Sequence, residues 1–151
     1  MTRPSPLLSL CLLLSVAACD TGSGDPTKVT YAPALGVDLT AMNRSESGLY
    51  TQDQEVGTGL EATNGRRLEV NYSGWLPDGT LFDTSQDRAP FVFILGQGRV
   101  IRGWDEGLVG MKVGGKRRLV IPSDLGYGEQ GNYAIPPNSV LIFDVELLSA
   151  R

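Results

Sequence analysis

Histidine is absent from the chain. That removes Ser/His/Asp and Cys/His catalysis and any histidine-based metal site. The remaining polar candidates are thin. Asp105-Glu106 reads most simply as acidic charge near a helix N-terminus, complementing the dipole. Asp83 and Arg88 read as an ion pair. "GQG" at 96–98 is followed by neither a helix-opening GxGxxG nor a Walker lysine, so it does not cradle phosphate. The two cysteines, Cys11 and Cys19, both lie near the N-terminus and cannot staple a folded domain. What stands out instead is aromatic and aliphatic: Tyr72, Phe82, Phe91, Phe93, Val100, Ile101, Trp104, Tyr127 and Phe143. The bland account makes all of them core, and for Phe93 it suffices. It suits Tyr72 and Tyr127 less well, because a buried tyrosine hydroxyl needs a partner.

The elements that must position these side chains are mostly strands. "RRLEVNYSGW" (66–75) alternates, with Leu68, Val70 and Tyr72 on one face and Glu69, Asn71 and Ser73 on the other. "LPDGT" (76–80) is a Pro-Asp-Gly turn into "LFDTS" (81–85), which predicts a hairpin. "PFVFIL" (90–95) reads as a short, mostly buried strand, and "KRRLVIP" (116–122) as another, closed by proline. "SVLIFDVELL" (139–148) places Leu141, Phe143, Val145 and Leu147 on one face, and "GLYTQDQEVG" (48–57) adds an edge. A single segment has a helical period. Ile101, Trp104, Leu108 and Met111 form one apolar stripe, and Gly103, Gly107 and Gly110 a second. Glycine weakens a helix by about 1 kcal/mol relative to alanine. Three of them on one side therefore predict a helix held close against a sheet, unable to stand alone. An antiparallel sheet wrapped around one short helix is an α+β domain.

The N-terminus reads as an address. Arg3 precedes an apolar run from Leu7 to Ala18 that is too short to span a bilayer and ends in small residues, the pattern of a secretory signal. "VAAC" (16–19) resembles a bacterial lipobox, which implies lipidation of Cys19. The alternative is ordinary cleavage, leaving a free thiol in an oxidising compartment. The expected organisation is a signal peptide over 1–18, a lipid-anchored tether and lead-in over 19–47, and a folded domain over 48–151. "DTGSGDPT" (20–27) reads as tether, and the segment that follows as an extended lead-in able to pack on the domain. Net charge is −4 and no basic block occurs, so nucleic-acid binding has no electrostatic support.

"VNYSGWLPDGTLFDTS", "PFVFILGQGRVIRGWDEGLVGMKVGGKRRLVIPSDLGYGEQG" and "IPPNSVLIFDVELL" together resemble the FKBP family of macrolide-binding peptidyl-prolyl isomerases, over about residues 48–149. The lead-in is similar to that of secreted or lipid-anchored bacterial members. The resemblance implies that Trp104 forms the floor of a pocket for a proline ring. As a floor, it would turn one face to solvent or ligand. Tyr72, Phe82, Phe91, Val100, Ile101 and Phe143 would form the walls. Asp83 would be a buried polar group beside Tyr72 and Arg88. The Ile101 N–H and the Tyr127 hydroxyl would donate to substrate carbonyls. "GEQGNYAIPP" (128–137) departs from the common pattern at Asn132, Tyr133 and Ala134, which changes the pocket's rim and leaves its base untouched.

The implied activity is cis-trans isomerisation of Xaa-Pro bonds in exported proteins, with no cofactor and no metal. The implied partners are proline-containing polypeptides, macrolide inhibitors of this class and, through Cys19, a membrane. The expected state is a monomer, exported and lipid-anchored to a bacterial membrane, facing the periplasm or the cell exterior. A second reading is a module that docks proline-containing segments, or a chaperone, with incidental turnover. A third, an inert structural lipoprotein, has to treat the whole pocket set as coincidence.

Overall fold

Alternating strands and tight turns give seven antiparallel strands and one short helix in a computed structural model that describes residues 23–151. The signal peptide, Cys11 and Cys19 lie outside the described residues. The strands are β1 (Asn43–Arg44), β2 (Tyr50–Glu55), β3 (Arg67–Trp75), β4 (Leu81–Thr84), β5 (Phe91–Ile94), β6 (Lys116–Ile121) and β7 (Leu141–Ala150). The helix α1 spans Arg102–Gly107, between β5 and β6. The sheet order is β1-β2-β6-β7-β3-β4, with β5 also paired to β3. β3 is long enough to serve both short strands on one edge: Arg67–Val70 pairs with β5 and Ser73–Trp75 with β4.

The period-two pattern is realised. Leu68 and Val70 of β3, and Leu141, Phe143, Val145 and Leu147 of β7, are all buried on the face that meets the helix. α1 lies tight on that face because two of its glycines leave no alternative. A Cβ on Gly103 would sit 2.6 Å from Ile121 Cγ2, and one on Gly107 2.9 Å from Leu119 Cδ2.

Three local expectations need correction. The helix is shorter than its apolar stripe. It begins after Ile101 and ends at Gly107, so Met111 is buried from the turn beyond it and Gly110, at φ +85°, belongs to that turn. Glycine-rich sequence supports no more helix than the sheet can hold. β5 is not mostly buried either: Phe93 and Leu95 are, but Phe91, Val92 and Ile94 are exposed. β5 pairs only with β3, so nothing covers its outer side. Finally, the tether is docked from Gly24 onward. Gly24 and Pro26 are buried, and Ser123 N–H donates to the Gly24 carbonyl at 2.9 Å.

That docked segment continues in three 3₁₀ turns, Pro26–Lys28, Pro33–Leu35 and Leu39–Ala41. Asp25 and Asp38 cap the first and third by accepting the N–H of Thr27 and Thr40. Its apolar side chains, Leu35 foremost, meet Tyr50, Trp75, Val120, Val140 and Ile142 on the outer face of the sheet. Ala32 N–H bonds to the Pro77 carbonyl at 2.7 Å, and Arg118 reaches from β6 to the Leu35 carbonyl. The sheet is therefore covered on both faces around Trp75, Val120 and Ile142.

Candidate active site

Trp104 sits in the first turn of α1, directed by the adjacent Gly103 contact toward the sheet. Four rings enclose it. Tyr72 from β3 and Phe143 from β7 meet it edge-on at 5.1 and 5.3 Å between centroids, and Phe91 and Phe93 from β5 approach to 6.1 and 5.7 Å. Phe82 from β4 packs edge-on against Phe143 at 5.4 Å. Val100 and Ile101 are half-buried beside this set. The wall residues read from the sequence thus come together from β3, β4, β5, β7 and the loop before α1.

The floor differs from expectation in one respect. Trp104 is only 4% exposed, so no full face of the ring meets solvent. The surrounding rings leave only a small part of it open because β3 and β7 each contribute one and β5 contributes two. Its Nε1–H is buried without an acceptor among the described residues. Such a donor costs about 1–3 kcal/mol.

Asp83 differs more. It accepts the Tyr72 hydroxyl at 2.5 Å and an Arg88 nitrogen at 2.7 Å, the neighbours the resemblance implied, but its side chain is 43% exposed. β4 is a four-residue strand at the sheet's edge, with β3 as its only neighbour. A side chain there lines a wall and is not buried. Arg88 also bonds to the Thr84 carbonyl, and Ser85 Oγ accepts the Tyr72 backbone N–H at 2.8 Å, so the loop after β4 is tied to β3 at Ser85 and folded back on β4 by Arg88.

The two expected donors are free. Neither the Ile101 N–H nor the Tyr127 hydroxyl has an acceptor among the described residues, and Tyr127 is 39% exposed at the rim. Ile135, further along the same loop, is buried, whereas Tyr133 stands fully exposed at the tip. Asn132 Oδ1 holds the return by accepting the N–H groups of Ala134 and Ile135.

One functional residue was misread from the sequence. Asp105 is more than a dipole charge. Its two carboxylate oxygens accept the N–H groups of Gly96 and Gly98 at 2.9 and 3.0 Å. Those glycines have φ +81° and +66°, so "GQG" is a left-handed loop braced by Asp105, and it leads directly to Val100 and Ile101. The pairing of that loop with a carboxylate one helical turn beyond Ile101 was the available signal. A polar groove of about 620 Å³ also opens among Asn71, Ser73, Gln86 and Glu146, and of the ring cluster only Tyr72 lines it.

The site's charges are steady near neutrality. Partial burial would raise the Asp83 pKa, but the hydrogen bonds from Tyr72 and Arg88 outweigh it and hold the carboxyl below its ordinary value. Its stabilising charge is therefore present above the unfolded carboxylate pKa and lost only as acid takes the pH through the lowered one. Burial, then the hydrogen bond to Asp83, pushes the Tyr72 hydroxyl up to about 12. Burial and the Asp83 charge raise Tyr127 as well. With no histidine in the chain, kcat/KM is expected to be flat between about pH 5 and 9. An inflection near neutrality in a pH–rate profile would mean that a group outside this set controls turnover.

Comparison with known proteins agrees with this architecture. The family profile described as "FKBP-type peptidyl-prolyl cis-trans isomerase" matches residues 59–148. The chain is 54% identical over 103 residues to an FK506-binding protein of Neisseria meningitidis serogroup B, covering 67% of this chain and 94% of that protein. Among solved structures, AtFKBP13 superposes with a TM-score of 0.68 at 41% identity, covering 73% of this chain and 98% of that one. FkpA from Escherichia coli superposes with a TM-score of 0.70 at 43% identity, covering 79% of this chain and 55% of that one.

Proposed function

The chain belongs to the FKBP-type peptidyl-prolyl cis-trans isomerase family and has its isomerase activity; on that premise we propose that it accelerates the folding of exported proteins from a lipid anchor at Cys19. The observation that carries the catalytic part is the ring cluster around Trp104, with two unpartnered donors at its edge. Rotation about an Xaa-Pro bond must cross a barrier of ~18–20 kcal/mol. The planar amide is stabilised by charge separation, which water favours. The twisted amide has lost most of that separation. A dry pocket of rings withdraws water from the planar form and takes little from the twisted one.

In this reading the pyrrolidine ring enters among Tyr72, Phe82, Phe91, Val100, Ile101 and Phe143, above Trp104. The Ile101 N–H and the Tyr127 hydroxyl hold substrate carbonyls, so that binding favours the twisted geometry. A rate gain of about 10⁵ needs about 7 kcal/mol. Desolvation and two directed hydrogen bonds are of that order. No nucleophile or general base is required, which suits a chain without histidine. The same pocket would accept macrolides of the FK506 type, the ligand named for the Neisseria relative.

Asp83 supplies a fixed negative charge at the wall and orients the Tyr72 ring through its hydroxyl. Asp83→Leu is expected to lower kcat/KM by about tenfold or more while the protein stays folded, because the side chain is half in solvent and its Arg88 partner is itself exposed. Wild-type turnover in a folded Asp83→Leu protein would rule this role out. Peptide turnover is read in a protease-coupled assay on Xaa-Pro peptides with residues 20–151.

The anchor rests on the sequence of residues 1–19. Several acyl chains on one cysteine hold a protein stably on a membrane where one would not. Cys19→Ser is expected to release the protein into the soluble fraction of fractionated cells. A Cys19→Ser protein that still pellets with membranes would remove that attachment.

A further inference from the structure

The loop that carries Tyr127 leaves β6 through the 3₁₀ turn Ser123–Leu125 and re-enters β7 beyond Asn138. Its feet are joined. The Ser123 carbonyl accepts the N–H of Gly126 at 3.0 Å and of Gly128 at 2.8 Å, and the Gly128 carbonyl accepts the N–H of Asn138 at 2.9 Å. The residues on either side of Tyr127 therefore both hang from Ser123. Gly24 is wedged at this point. Its carbonyl takes the Ser123 N–H at 2.9 Å. It has φ +62°, and a Cβ on it would lie 2.2 Å from Ser123 Oγ and 3.6 Å from the Asn138 carbonyl. Only glycine fits both the space and the left-handed backbone. Gly24 lies outside residues 59–148, the part matched by the family profile, and five residues after Cys19.

We propose that Gly24 is a positioning residue for isomerisation: its docking between Ser123 and Asn138 aims the loop that presents Tyr127, and so tunes which Xaa-Pro segments the rim accepts. This rests on the reading of Tyr127 as a substrate donor. Leu125, buried beside the loop's root, keeps the loop attached to the core. Gly24 therefore sets the direction of the Tyr127 hydroxyl and does not decide whether the loop is ordered. A hydroxyl displaced by a fraction of an ångström loses a directional hydrogen bond.

The test is a double-mutant cycle read as kcat/KM on two peptide series, with leucine or alanine before proline. Gly24→Ala is expected to lower kcat/KM about fivefold, chiefly through KM, and to change the leucine-to-alanine ratio. In a Tyr127→Phe background the same substitution should have no further effect. Ser123→Gly, which removes the clashing atoms, should restore part of the Gly24→Ala loss. A chain starting at Asp25 lacks the carbonyl without introducing a clash; it should reproduce the loss even where Gly24→Ala fails to fold. Losses from Gly24→Ala and Tyr127→Phe that simply add would overturn the proposal, as would an unchanged leucine-to-alanine ratio in the chain starting at Asp25. A Tyr127→Phe protein with wild-type kcat/KM would instead show that the donor role of Tyr127 is wrong.

Discussion

Trp104→Leu is expected to lower kcat/KM at least about tenfold while costing the fold only about 2 kcal/mol. Truncating a buried aromatic residue commonly costs about 3–5 kcal/mol through lost contacts and the cavity left behind. Here two features reduce that. Leucine keeps part of the volume, and the substitution also removes an Nε1–H that has no acceptor among the described residues. The two effects oppose each other and the cavity wins, because four rings converge on the indole. In thermal unfolding the change amounts to about 7 °C. On the proposed reading activity falls for a different reason: the indole holds Tyr72, Phe91, Phe93 and Phe143 in place around the proline ring, and leucine lets them shift. Fluorescence separates the two. Trp75, the other tryptophan, packs with the lead-in on the outer face of the sheet. A saturable change in emission on adding an FK506-type macrolide should therefore come from Trp104 and be missing in Trp104→Leu. A destabilised Trp104→Leu protein with full activity, together with macrolide binding that leaves emission unaltered, would reduce Trp104 to a core residue.

Removing the lead-in is expected to cost still more stability. A chain beginning at residue 43 uncovers the outer face at Tyr50, Trp75, Val120, Val140 and Ile142, and strips Leu35 from it. Val120 and Ile142 are fully buried only because that segment lies over them. Burying a large aliphatic side chain is worth about 1.5–3 kcal/mol. Two such losses give about 4 kcal/mol, or about 15 °C in Tm. The Arg118 guanidinium would also lose the Leu35 carbonyl, though it would keep Asp144 at 2.7 Å. The measurement is paired denaturation of chains 20–151 and 43–151, followed by Trp75 emission, which should shift to the red in the shorter chain. Equal midpoints would mean that the second core adds little.

The sequence by itself determined the inner half of this protein. Alternation in β3, and in β7 from Phe143 to Leu147, names the buried face without any structure, since side chains in a strand point to opposite sides in turn. Gly103 and Gly107 announced a helix pressed on that face, and the family resemblance placed Trp104, Tyr72, Phe82, Phe91, Ile101 and Phe143 together. The ion pair of Asp83 and Arg88 was also anticipated, as the simplest use of the two charges.

What the sequence could not determine depends on which element lies beside which. β5 reads as buried from its composition, yet its exposure follows from its place at the edge of β3. Asp83 is half-exposed for the same reason on β4. Asp105 has the sequence of a helix-dipole charge, and only the return of the 96–98 loop brings two N–H groups within reach of it. Residues 24–42 have no period because they pack through isolated 3₁₀ turns, a few side chains at a time, against a face built by strands far away in the chain. Local pattern records what a residue does along its own element. Edges, braces and covering segments are made by contacts between distant parts of the chain, and those exist only once the sheet has closed around the helix.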